Sequence, residues 1–206
     1  MKNPTAPRRP SDVRERILKE AVRLFAKNGF EGTSVQTVAD AVGIKVPSLF
    51  YHFASKEQLL DAVIDDMLQH WSNELPILVS ISKPGRDRFD TLIETLVGFF
   101  AEDRSRAIFS VRELISRPKF IADRLRERLG PWIQIISDYI SMGKKSGIFR
   151  QEIDPEQYVF EVIMLVVGTV TLVDSAATIF EKQNTDPGLG FTDTIVKVAR
   201  ERLFTK

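Results

Sequence analysis

The chain has 206 residues, 43% of them apolar, and 29 Lys/Arg balance 28 Asp/Glu to a net charge of +1, so it can bury a sizeable core and is no polycation. The absence of cysteine excludes disulfides, thiolate nucleophiles and Cys-ligated zinc. Charge is nevertheless uneven: residues 1–56 hold ten Lys/Arg against five Asp/Glu, the remainder nineteen against twenty-three, which points to an anionic partner at the front.

Residues 1–10 combine Pro4, Pro7 and Pro10 with Lys2, Arg8 and Arg9 and read as a flexible basic arm, with no apolar core for a signal peptide. From Val13 a helical stripe begins (Ile17, Ala21, Leu24, Phe25), opened by an Asp12/Glu15 capping box and closed at Asn28-Gly29. A second helix is expected after a Thr33/Gln36 cap, with Val35, Val38, Ala39 and Val42 inward and Gly43 ending it. A third, from about Val46 to Phe53, has Pro47 in its first turn, where a missing N–H costs nothing. Ser55, with Gln58 as partner, caps a fourth helix reaching about Leu75. Further stripes follow: Phe89, Leu92, Ile93, Leu96, Val97 and Phe100, then Ile108, Val111, Leu114 and Ile115. A long segment from Pro118 to Lys145 is expected to break at Gly130-Pro131. Asp154-Pro155 opens an apolar helix to about Phe180; Asn184 to Gly190 is a turn-rich connection, and Ile195, Val198, Ala199 and Leu203 carry a last helix. The apolar run Val162–Val173 is shorter than the ~20 residues of a membrane span, so a cytoplasmic protein without a membrane partner is expected. No strand pattern or tandem repeat stands out; the fold class is all-α.

Thr33 to Lys56, TSVQTVADAVGIKVPSLFYHFASK, carries the chemistry. Two short helices about a glycine turn form a helix-turn-helix, whose second helix enters the major groove. Val38, Val42, Ile44 and Leu49 lock the pair inward, and Phe50 and Phe53 read as core. That leaves Lys45, Val46, Pro47, Ser48, Tyr51 and His52 outward, able to meet phosphates, base edges or a thymine methyl, with Lys56 placed for a phosphate. The plainer reading of Tyr51 and His52 is an aromatic helix end closing a small core.

The run LFAKNGFEGTSV, then VADAVGI, then PSLFYHFASKEQLLDAV resembles the TetR (tetracycline-repressor-like) family of bacterial regulators over residues 13 to about 63, and GIFRQEIDPE resembles the turn before its penultimate helix. Lys45 and Val46-Pro47 depart from commoner members. The resemblance implies phosphate or base contacts from Thr33, Gln36, Lys45, Val46, Pro47, Ser48, Tyr51, His52 and Lys56. It implies an N-terminal three-helix helix-turn-helix domain over 11–56 and a C-terminal helical bundle over 57–206 for ligand binding and dimerisation.

One short recognition helix reads too few bases, so a homodimer on a palindromic double-stranded operator is expected, joined through helices near 155–180 and 190–205. An effector pocket is sought among Phe99, Phe100, Phe109, Arg112, Trp132, Tyr139, Tyr158 and Met164, with plain core as the plainer reading of the aromatic residues and Met164. Arg112-Glu113 offers polar anchors there, with an exposed ion pair as the plainer reading. The effector expected is an apolar or aromatic small molecule, with no cofactor. His52 and His70 lack metal-ligand neighbours, and Asp65-Asp66 and Glu102-Asp103 are adjacent instead of one helical turn apart, so no catalytic or metal site is expected. The alternatives are a DNA binder of the same fold without an effector, and a helical binding module without DNA activity.

Overall fold

The computed structural model describes residues 10–81, 86–179 and 189–205. Among these the chain forms nine helices: α1 (Pro10–Asn28), α2 (Val35–Val42), α3 (Val46–His52), α4 (Lys56–Ile81), α5 (Arg86–Glu102), α6 (Ser105–Ser116), α7 (Pro118–Lys145), α8 (Pro155–Ile179) and α9 (Leu189–Leu203). The all-α expectation holds. The expected arm up to Arg9 and most of the turn-rich connection lie outside the described residues. Two compact units divide the chain, Met1–Met67 and Leu68–Lys206.

In the first unit, α1 starts at Pro10, earlier than the Asp12 cap predicts, because proline suits a helix's first turn; Asp12 sits within that turn. Ile17, Ala21 and Phe25 form its fully buried line. α2 is capped by Ser34, whose Oγ accepts from the Thr37 N–H at 3.0 Å. This is one residue beyond the expected Thr33 cap, and Thr33 turns inward instead. At the far end Gly43 (φ 73°) and Ile44 donate to the Asp40 and Ala39 carbonyls, a Schellman ending that needs a left-handed residue. Arg16 of α1 donates to the Val42 carbonyl at the same end. α4 opens as predicted on Ser55, which accepts from the Gln58 N–H at 3.1 Å, while Gln58 Oε1 accepts from Ala54 N–H at 3.0 Å.

α4 passes its expected end near Leu75, running through Pro76 to Ile81, and α7 runs through Pro131, where a break was expected. Both prolines are exposed, so water can satisfy the carbonyls they free. In the second unit α5, α6, α7 and α9 all pack on α8. At one end His70 stacks on Phe99 (centroids 4.5 Å), Trp71 meets Phe99 edge-on at 5.1 Å, and the Arg106 guanidinium lies 4.3 Å over that ring. At the other, Phe149 fits against Gly143 so closely that a Cβ there would lie 2.0 Å from its Cδ2. Phe149 also meets Tyr139 at 5.5 Å and Phe204 at 4.8 Å. Arg200 of α9 grips Asp90 of α5 through two hydrogen bonds, and Tyr158 Oη donates to the Ala199 carbonyl at 2.8 Å.

The α6 expectation is overturned. Its buried residues are Ala107, Phe109 and Glu113, whereas Ile115 is 77% exposed. α6 carries apolar residues on nearly every side, and the large Phe109 ring sets which arc goes in. The exposed Arg112-Glu113 pair is likewise corrected: Glu113 is buried and its ionic partner is Arg117, at 3.2 Å.

α8 also contains a stretch, Pro155–Ala176, long and apolar enough to cross a membrane, so shortness does not argue against a span. Its packing against four other helices reads as the central helix of a bundle.

Candidate nucleic-acid interface

α3 is held by a single line of contact. Leu49 and Phe53, four residues apart, are 0% and 4% exposed and anchor it to the unit's core. Off that line the helix is exposed or half-buried. Lys45, Pro47 and Ser48 are exposed, Tyr51 is 83% exposed, and Val46 and His52 are half-buried. The His52 ring lies edge-on to Tyr51 at 5.3 Å. A short helix presenting ammonium, hydroxyl, phenol and imidazole groups beside two apolar ones suits a groove holding phosphates, base edges and thymine methyls.

Beside it is an open groove of about 530 Å³ lined by Ser34, Val35, Phe50, Ser55 and Lys56, with Glu31 to Thr33 and Ala54 completing it. The N-termini of α2 and α4 both open into it. The serine caps take one N–H each, and the other first-turn N–H groups of both helices have no partner within their helix. Two positive helix ends and a lysine make this groove favourable to phosphate. Lys56 is half-buried, its Nζ held 4.1 Å above the Phe30 ring.

Gln36 is exposed on α2, with Nε2 donating to Asp40 Oδ1 at 2.7 Å. Thr33 is a correction. It is 1% exposed, and its hydroxyl lies 2.8 Å from the Gly29 carbonyl and 3.2 Å from that of Leu24, so its side chain ties α1 to the start of α2. Phe50 is the opposite correction: expected in the core, it is 43% exposed on the groove wall. The signal that places it outside is the Leu49/Phe53 spacing, which defines the buried line and leaves Phe50 off it.

The residues sought for an effector pocket do not form one cluster. Phe99, Phe100 and Phe109 are buried, Phe99 and Phe100 within the His70–Trp71 group. Arg112, Trp132 and Met164 are half-buried. Tyr139 is 39% exposed and belongs with Phe149, and Tyr158 is committed to α9.

Residues 17–63 match the family model of bacterial regulatory proteins of the tetR family, and residues 57–184 that of the C-terminal region of YsiA-like proteins. The HTH-type transcriptional repressor KstR2 of Rhodococcus jostii is 30% identical over 151 residues, covering 71% of this chain and 72% of that protein. The chain belongs to the TetR family. Its members' architecture recurs in the fatty acid degradation regulator FadR of Bacillus halodurans (TM-score 0.71, 17% identity, 96% of each chain). It recurs also in FadR of Bacillus subtilis, solved with stearoyl-CoA (TM-score 0.67, 16% identity, 91% of this chain and 98% of that one). As a TetR-family protein the chain is a DNA-binding transcription regulator, and the relatives it matches are regulators, not enzymes.

Proposed function

We propose that this TetR-family protein is a cytoplasmic repressor that binds a palindromic operator as a homodimer and leaves it when a small molecule binds the second unit. The observation that carries the DNA reading is α3, with Tyr51 almost fully in solvent beside exposed Lys45, Pro47 and Ser48. We assign the contacts to those four with Gln36, Val46, His52 and Lys56, and add Phe50 as an apolar contact. A gel shift at physiological salt, with the DNA upstream of its own gene against random DNA, tests this. Selective retention of the upstream fragment supports it, and equal binding of both DNAs removes the operator.

Dimerisation is supported by an uncovered face of α8. Phe160, Leu172 and Ile179 are 61%, 59% and 72% exposed, at helical spacings that also bring Met164, Gly168 and Ser175 to that side. A Cβ on Gly168 would meet nothing within 4 Å of it in the chain, leaving room for close approach of another helix. On α9, Phe191 and Val198 are 38% and 47% exposed. A twofold helix bundle covers such faces.

The effector reading rests on the apolar second unit and on the likeness to a regulator solved with stearoyl-CoA, which favours an effector with a long apolar part. Switching needs the effector to prefer the DNA-incompetent state, by about 5 kcal/mol to go from mostly bound to mostly free. An effector that leaves operator affinity unchanged at every concentration ends this part of the reading.

A further inference from the structure

α6 breaks the ordinary rule for a helix. Its only carboxylate, Glu113, is 2% exposed, while Ile115 two residues on is 77% exposed. Phe109, 2% exposed one turn earlier on the same face, holds the helix in this orientation and carries the carboxylate inside with it, at a cost in desolvation. Compensation inside is partial. Arg117 Nη1 lies 3.2 Å from Glu113 Oε2, but off the direction a hydrogen bond needs, and that oxygen has no hydrogen-bond partner among the described residues. Burial raises the Glu113 carboxyl pKa, against the opposing pull of Arg117 and then Arg112.

Two further polar atoms are buried and unpartnered in the same unit: Ser137 Oγ on α7 and Thr171 Oγ1 on α8. α6, α7 and α8 each pack on the other two. Buried polar atoms in folded proteins are hydrogen-bonded as a rule, so three atoms without a hydrogen bond on three mutually packed helices ask for a donor or acceptor that the described residues do not supply. Places where a polar group is buried with incomplete internal compensation are where function is expected.

We propose that Glu113 is the specificity-determining acceptor of the effector site, taking a hydrogen bond from a hydroxyl or amino group on an otherwise apolar effector. This rests on the reading of the second unit as an effector domain, and narrows it: a pure hydrocarbon or ether leaves Oε2 as it is now, whereas a donor satisfies it. A site built around a buried acceptor rejects the analogue lacking the donor, because binding it leaves a polar atom stranded.

The test uses the full chain and three probes sharing a decyl chain and differing at one end: decanol, decylamine and decyl methyl ether. Binding is followed by tryptophan emission (Trp71 and Trp132) and by thermal shift. The expected result is that the wild type binds decanol or decylamine about tenfold or more tighter than the ether. Glu113→Leu should level the three. Glu113→Gln, which keeps shape and an acceptor, should retain a preference for decanol and lose one for decylamine, separating a neutral from a charged donor. Equal binding of all three by the wild type, or a preference that survives Glu113→Leu, overturns the proposal and leaves the effector reading standing. If no probe binds while operator binding is intact, the effector reading fails and the proposal falls with it.

Discussion

Tyr51 and Thr33 stand eighteen positions apart in one helix-turn-helix and have opposite fates, 83% and 1% exposed. Tyr51→Ala should weaken operator binding by about 1–3 kcal/mol while changing non-specific binding much less, measured by parallel titrations on operator and random DNA. Equal losses on both would reduce it to a phosphate contact. Thr33→Val replaces the hydroxyl at the α1–α2 junction by a methyl group of similar size, and should lower stability by about 1 kcal/mol in denaturant melts with the salt dependence of DNA binding unchanged. Glu113 carries a pH signature. Its folded pKa is raised above the ordinary 4.5, so the unfolded chain releases the proton first as pH rises. Its contribution to stability is therefore flat below that value and falls as pH climbs toward the raised one. Wild type should lose stability relative to Glu113→Gln as pH rises through that window, and parallel pH profiles would remove the buried penalty. At this scale the sequence tells residue type better than direction. The outward Tyr51 was legible because Leu49 and Phe53 already fill the inward line. Thr33 was not, because a one-residue shift of the cap to Ser34 turns it inside out, and either hydroxyl suits a cap.

Among the elements, the helices were legible wherever one side alone is apolar, as in α1 and α5. α6 was not, because Phe109 competes with Ile108, Val111, Leu114 and Ile115 for the inside. Gly130-Pro131 misled for a related reason: whether a proline stops a helix depends on whether water reaches the carbonyl it frees, which is a tertiary fact. The α7–α8 connection adds a constraint that composition does not show. Gly143 faces the buried Phe149 ring with no room for a methyl group. Gly143→Ala should destabilise the second unit by about 1–3 kcal/mol despite alanine's better helix propensity, read from the thermal midpoint. A gain in stability would show that the ring yields.

For the molecule as a whole, the sequence showed the split between a basic front and an acidic, apolar rear, and the order of helices that carries the family. What it hid was how much of α8 stays uncovered: only 28% of its most apolar stretch is buried inside the chain. Replacing Leu172 with Glu should shift sedimentation from dimer to monomer and lower operator affinity together, since one recognition helix then binds without its twin. A monomeric variant with full affinity would separate assembly from DNA reading.

Lys56 rests above Phe30 before any DNA arrives. A free lysine gives up as much as about 2 kcal/mol of rotamer freedom when it is pinned, and here much of that loss falls on folding. An arriving phosphate therefore meets an ammonium already in place. Acetylation of this amine would abolish the charge and its hold on the ring in one event, returning a loose, neutral arm to the edge of the groove.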